Sequence, residues 1–120
     1  MSIVANIVIA LIALLHVWFL ILEMFLWTRP SGRRAFGLTA EFAEQSKALA
    51  ANQGLYNGFL AAGLVWGLCL GSSGAGFSVK VFFLACVLIA GIFGGLTASR
   101  KILWIQALPA VIGLALIHLA

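Results

Sequence analysis

Residues 3–27 read IVANIVIALIALLHVWFLILEMFLW, an apolar run in which only His16 and Glu23 carry an ionisable side chain. A helix rises ~1.5 Å per residue, so about 20 residues cross the ~30 Å hydrocarbon core of a bilayer. The first six residues carry no basic side chain, and the run is longer than the apolar core of a cleaved signal peptide. The run therefore predicts a retained transmembrane helix.

Three further apolar blocks follow the first one. Of the 120 residues, 64% are hydrophobic and only 8% are charged, whereas about a quarter of the residues in a soluble domain are charged. An open β-sheet is excluded because the backbone N–H and C=O groups of its edge strands would stay unpaired in lipid. The sequence predicts one all-α domain over residues 1–120, an integral membrane four-helix bundle. Its expected spans are about 3–27, 47–70, 78–98 and 102–119.

The basic residues predict the direction of these spans. Six of the seven flank the first and third connectors: Arg29, Arg33, Arg34, Lys47, Arg100 and Lys101. Only Lys80 belongs to the opposite side. The positive-inside rule places the six in the cytoplasm, so both termini are expected outside. We therefore predict a multi-pass protein of the bacterial cytoplasmic (inner) membrane. The lipid bilayer is its partner, and no basic groove indicates nucleic acid.

The second helix is predicted to extend beyond the membrane. Thr39 can cap a helix, and Glu41 and Glu44 suit a helix N-terminus. Glu44 and Lys47 have the i,i+3 spacing of a favourable ion pair. We expect this helix to begin near Ala40 and to project into the cytoplasm; the alternative is a solvated loop.

Small residues recur every four positions in the second and third helices, as in Gly54–Gly58 and Gly91–Gly95. Membrane helices associate by close van der Waals contact, which small residues permit. These two helices are therefore expected to pack tightly, within one protomer or between protomers of a homo-oligomer. The four tryptophans are expected to face lipid or the interface.

Polar side chains inside the spans are the candidate functional residues, because such groups are expensive in lipid. His16 and Glu23 lie two turns apart on one helical face, and Gln53, Tyr56 and Asn57 share a face of the second helix by spacing. The candidate ligand-binding residues are His16, Glu23, Arg33, Arg34, Asn52, Gln53, Tyr56, Asn57 and Gln106. They predict a polar intramembrane pocket open to the cytoplasm. The alternative is that Glu23 reaches the interface and the amides join neighbouring helices.

Three functions are compatible with this pattern. The first is a protein or enzyme that binds a lipophilic small molecule: Glu23 acts as the acid–base or hydrogen-bonding group, and the arginines attract an anionic part. The second is a small proton-coupled transporter, and the third is a noncatalytic subunit of a membrane complex. Cys69 and Cys86 lack a C-x-x-C spacing and the two histidines lack metal-ligand spacing. No metal site is therefore predicted, and catalytic residues and cofactors are not assigned.

Three segments carry a resemblance to a known family: Glu23-Met24-Phe25-Leu26-Trp27, Arg34-Ala35-Phe36-Gly37-Leu38, and residues 51–61, which read ANQGLYNGFLA. They resemble a bacterial family of small membrane proteins filed as domain of unknown function 1304. The resemblance covers essentially the whole chain. It implies the architecture and carries no activity.

A second resemblance involves Arg33-Arg34-Ala35-Phe36, Glu41-Phe42, Asn52 and Tyr56. These are similar to the first cytoplasmic connector and second helix of the membrane-associated proteins in eicosanoid and glutathione metabolism. That similarity implies four helices, both ends outside, and a trimer in preference to a dimer, with sites between protomers. Leu55 stands where that family tends to have an acidic residue, so glutathione binding is not implied.

Overall fold

The computed structural model describes residues 2–120, which are helical apart from short turns and contain no strand. The helices are α1 (Ser2–Met24), α2 (Pro30–Phe36), α3 (Ala40–Leu70), α4 (Ala75–Thr97) and α5 (Leu108–Leu119), with a π-helical segment (Leu103–Ala107) leading into α5. The all-α class is confirmed. Helices α1 and α4, with 23 residues each, are long and apolar enough to span a membrane, and the apolar helical stretch Leu103–Leu119 is shorter.

Helix α1 ends at Met24, earlier than Trp27, where we expected the end of the first helix. The backbone amides of Phe25 and Leu26 both donate to the carbonyl of Ile21, at 3.0 and 3.1 Å. The bond from Leu26 runs to the carbonyl five residues earlier, a geometry that closes many helix C-termini. Glu23 consequently lies in the last turn of α1.

The first connector contains a short helix, α2, that the sequence analysis did not predict. Pro30 takes the first position of this helix, where its missing amide hydrogen is not needed and its fixed φ suits the helix. The backbone amide of Arg33 donates to the carbonyl of Arg29 at 2.9 Å. The connector is therefore an ordered element that carries Arg33 and Arg34 on its last turn.

Helix α3 begins at Ala40, which confirms the predicted start. The backbone amide of Phe42 donates to Thr39 Oγ1 at 3.1 Å, as an N-cap requires. The ammonium of Lys47 donates to Glu44 Oε1 at 2.5 Å on the exposed side of the helix. Its 31 residues give a length of about 46 Å, more than a ~30 Å hydrocarbon core.

The π-helical segment before α5 has a local cause. Pro109 has no amide hydrogen, so it cannot donate to the carbonyl one α-helical turn earlier. The backbone amide of Leu108 instead donates to the carbonyl of Leu103, five residues earlier. The π-helix is rare and occurs mostly as single turns of this kind inside α-helices.

The chain divides into two compact units. Residues 2–13 together with Leu60–Ala120 form one, called here the core unit, and Leu14–Phe59 form the other, called the connector unit. The core unit has an apolar centre to which α1, α3, α4 and α5 all contribute. Its completely buried members are Ile9, Leu64, Leu84, Val87 and Ala110.

Glycines allow close helix packing in the core unit. On α3, Gly63 lies against Phe83 and Gly67 against Lys80 of α4, so the second and third apolar helices do pack on each other through small residues. On α4, a Cβ added to Gly91 would lie 2.6 Å from the backbone nitrogen of Ala107 and 2.8 Å from its Cα. Only glycine permits this approach of α4 to the π-helical segment.

Candidate functional site

The centre of the candidate site is a hydrogen bond between α1 and α3 in the connector unit. Asn57 Nδ2 donates to Glu23 Oε1 at 2.5 Å. Asn57 is only 6% exposed, and Glu23 is half-buried. A carboxylate offers about four lone-pair sites, so one amide donor leaves most of its acceptor capacity available. The contact fixes Glu23 while leaving it able to bind a further group.

A glycine on α3 makes this contact possible. A Cβ added to Gly54 would lie 2.7 Å from Met24 Cγ, 3.0 Å from Glu23 Cβ and 3.2 Å from the carbonyl oxygen of Leu20. Asn57 follows Gly54 by three residues, so both lie on the same side of α3. The close approach of the two helices at Gly54 therefore brings the short Asn57 side chain within reach of Glu23.

The other predicted site residues of α3 lie elsewhere on the helix surface. Asn52 and Gln53 are exposed, and Tyr56 is 54% exposed with its ring edge-on to Phe59, the centroids 5.7 Å apart. Tyr56 and Asn57 are successive residues and thus about 100° apart around the helix. The face that we predicted from spacing is therefore divided: Asn57 points to α1, and Gln53 and Tyr56 lie on the surface of the single chain.

Two predicted residues are separate from this contact. His16 is completely buried, and its ring meets the ring of Phe19 edge-on with centroids 5.5 Å apart. It lies two turns before Glu23 on α1. Gln106 lies half-buried within the π-helical segment of the core unit.

The two arginines of α2 differ in their surroundings. Arg33 is half-buried and Arg34 is exposed. Within residues 2–120, the buried Nε of Arg33 has no hydrogen-bond partner. A buried donor without a partner is destabilising.

Trp27 attaches the first connector to α3. Its Nε1 donates to Ser46 Oγ at 3.0 Å, and Ser46 Oγ donates to the carbonyl of Phe42 at 2.6 Å. The Trp27 ring also packs on Phe36, with centroids 4.9 Å apart. Trp27 is thus half-buried in the connector unit. Trp18, Trp66 and Trp104 are exposed.

Asn57→Leu should destabilise the connector unit by about 1–3 kcal/mol, because it removes the donor from a half-buried carboxyl group. Asn52→Leu is the matched control: the same substitution five residues earlier on α3, at an exposed position, should change stability by less than about 0.5 kcal/mol. Unfolding in detergent, followed by circular dichroism, measures both. Equal midpoints for the two variants would show that the Glu23–Asn57 bond contributes nothing.

The core unit contains a second polar contact, which was not predicted from the sequence. Lys80 Nζ donates to Asn6 Oδ1 at 2.9 Å, and Lys80 is only 2% exposed. We had considered Lys80 only as the basic residue of the outer side, and Asn6 not at all. The sequence does contain a signal for this pair: Asn6 and Lys80 are both polar residues in the second turn of an apolar helix.

Comparisons with known proteins agree with the first resemblance. The family described as "Protein of unknown function (DUF1304)" matches residues 10–118. The uncharacterized protein YpaA of Lactococcus lactis subsp. lactis (strain IL1403) is 29% identical over 116 residues, 95% of this chain and 96% of the relative. No solved structure matches the chain, and these comparisons give no support to the eicosanoid and glutathione resemblance. Because the family match extends over nearly all of the chain and includes both Glu23 and Asn57, the protein belongs to the DUF1304 family.

Proposed function

We propose that this protein is a four-span integral membrane protein that binds a lipophilic small molecule through Glu23 and Asn57. The observation that carries the binding role is the hydrogen bond between these two side chains at the end of a long, mostly apolar helix. Ionisable groups in such helices are rare and are associated with function.

The membrane assignment rests on the apolar surface of the chain. Large hydrophobic side chains are exposed on α1, on α4 and on the π-helical segment, among them Ile3 at 75%, Leu96 at 76% and Trp104 at 70%. Only 28% of the most apolar stretches of α1 and α4 are buried within the chain, whereas the core helix of a soluble protein is mostly buried. Lipid is the solvent that suits this surface. The second half of α3 and residues 102–119 complete the four spans.

The depth of the site follows from the helix lengths. If about 20 residues of α3 cross the hydrocarbon core, the membrane part begins near Ala51, and Asn57 lies about 9 Å inside it. Glu23 lies in the last turn of α1. The basic residues Arg29, Arg33, Arg34 and Lys47 that flank the first connector favour the cytoplasmic side for this end of both helices. A ligand bound here has its polar group near the interface and its apolar part among the acyl chains.

The residues around the site favour a ligand with a polar, partly anionic head. Glu23 accepts a hydrogen bond; elsewhere in the connector unit Gln53 and Tyr56 can donate and accept, and Arg33 and Arg34 attract negative charge. Because exposed polar side chains are costly in lipid, the ligand or a second copy of the chain covers Gln53 and Tyr56. We favour a homo-oligomer, a trimer over a dimer, with the ligand at the contact between protomers.

Native mass spectrometry of the protein purified in a mild uncharged detergent tests this proposal. The expected spectrum shows an oligomer that retains a defined lipophilic molecule at a fixed ratio to protomers. A ligand-free protein would contradict the binding role. Proton-coupled uptake of a lipophilic cation into vesicles would then favour a transporter, and co-purification with another membrane protein at fixed stoichiometry would favour a complex subunit.

A further inference from the structure

We propose that Lys80 forms a second site, in the core unit, that binds one oxygen atom of a carboxylate or phosphate group. Lys80 is 2% exposed, and its ammonium donates to Asn6 Oδ1 at 2.9 Å. An ammonium has three N–H donors, and Asn6 satisfies one of them. A neutral amide cannot balance the charge, so this contact leaves a buried cation without a counter-ion.

The core unit cannot supply that counter-ion from a side chain. The acidic side chains of the protein are Glu23, Glu41 and Glu44, and all three belong to the connector unit. Within residues 2–120, Lys80 forms no ion pair. An uncompensated charge in an apolar interior is strongly destabilising, and in membrane helices such charges face a cavity or mark a ligand path.

A small cavity adjoins Lys80 at this end of the core unit. It has a volume of about 10 Å³, and its walls are formed by the polar residues Ser2, Asn6, Ser72 and Lys80 and by Ala5, Phe77, Ile117 and the last residue, Ala120. That volume is about enough for one water molecule or one oxygen atom of a larger group. Ser2 and Ser72 are exposed, so the cavity reaches the surface of the chain and can be entered from outside.

The size of the cavity decides what the site can bind. A complete phosphate or carboxylate group is too large, but one oxygen atom of either group fits beside the ammonium. The rest of the group then lies at the mouth, where the Ser2 and Ser72 hydroxyls can donate hydrogen bonds. The charge-assisted bond from Lys80 to an anionic oxygen is stronger than one to a neutral acceptor. Either a lipid headgroup or a free small anion can supply such an oxygen.

Thermal unfolding in uncharged detergent tests the site with four probes. Oleate and dioleoylphosphatidic acid represent lipid headgroups, and acetate and inorganic phosphate represent free anions. Titration of the unmodified protein should raise the unfolding midpoint. Stabilisation by the lipid probes alone supports a headgroup as the occupant, and stabilisation by the free anions as well supports a small anion. No stabilisation by any probe overturns the proposal.

Two variants and one control assign the binding to Lys80. Lys80→Met removes the cation. Asn6→Asp keeps Lys80 and adds an isosteric carboxylate beside it, so it should take the place of the anion. Each should weaken the apparent affinity by about tenfold or more. Lys101→Met removes the same charge from an exposed position and should leave the affinity unchanged. An Asn6→Asp variant that binds the probes as tightly as the unmodified protein overturns the proposal, even if Lys80→Met fails to fold.

Discussion

Glu23→Gln is expected to remove the lipophilic ligand from the purified protein. Glutamine has nearly the size of glutamate, so the contact with Asn57 and the packing against Gly54 can persist. The substitution removes the negative charge, and a hydrogen bond to a charged group contributes about 1.5–3 kcal/mol. That loss corresponds to roughly ten- to hundredfold weaker binding. Ligand occupancy per protomer in native mass spectra measures it.

Glu44→Gln is the matched control for this variant. Glu44 belongs to the same connector unit, and its substitution also replaces a glutamate by a glutamine. Unlike Glu23, it is exposed and pairs with Lys47 on the outer side of α3. Its substitution should leave ligand occupancy unchanged. If Glu23→Gln retains as much ligand as the unmodified protein, Glu23 does not belong to the binding site.

Gly91→Ala is expected to destabilise the core unit by about 1–3 kcal/mol, the range for overpacking in a tight interior. The added methyl group would lie 2.6 Å from the backbone nitrogen of Ala107 and 2.8 Å from its Cα. A rotamer change cannot relieve a contact with backbone atoms. Helix α4 and the π-helical segment would have to separate, so the unfolding midpoint in denaturing mixed micelles should fall.

Gly94→Ala, one turn later on α4, serves as the comparison. Its methyl group would meet side-chain atoms of Ile102, the nearest at 3.2 Å, and a flexible side chain can move by that small amount. This variant should unfold within about 0.5 kcal/mol of the unmodified protein. Equal destabilisation by the two alanines would show that the close approach at Gly91 is not a property of the folded protein.

The helices could be predicted largely because their signals are local. Long apolar runs and the Thr39 cap determine where α3 and α4 lie, and neither depends on distant contacts. Helix α2 and the early end of α1 could not be predicted, because the whole connector is short and mixes apolar and basic residues. The π-helical segment had a visible cause in Pro109, yet sequence alone does not tell whether a proline kinks, ends or expands a helix.

The candidate site could be predicted only as a set of residues. Because polar groups are costly in lipid, Glu23 and Asn57 could be identified as candidates from the sequence. The same reasoning also identified Gln53 and Tyr56, which lie elsewhere on the surface of α3. The choice among them depends on the rotation of α3 against α1, which the close approach at Gly54 determines. Glycines such as Gly54 mark the face of α3 that packs on α1. Asn57 lies beside them, and this position was the sequence signal that it is the partner of Glu23.

Cysteine accessibility in intact cells tests most directly the claim that the chain spans the membrane four times. In a variant with Cys69 and Cys86 replaced by serine, single cysteines are introduced at Ser31, Ser73 and Ser99, which lie exposed in the three connecting regions. A membrane-impermeant maleimide should label the cysteine at position 73 in intact cells, and those at 31 and 99 only in inverted vesicles. Labelling of all three positions in intact cells, or recovery of the protein in the soluble fraction, would contradict a four-span topology.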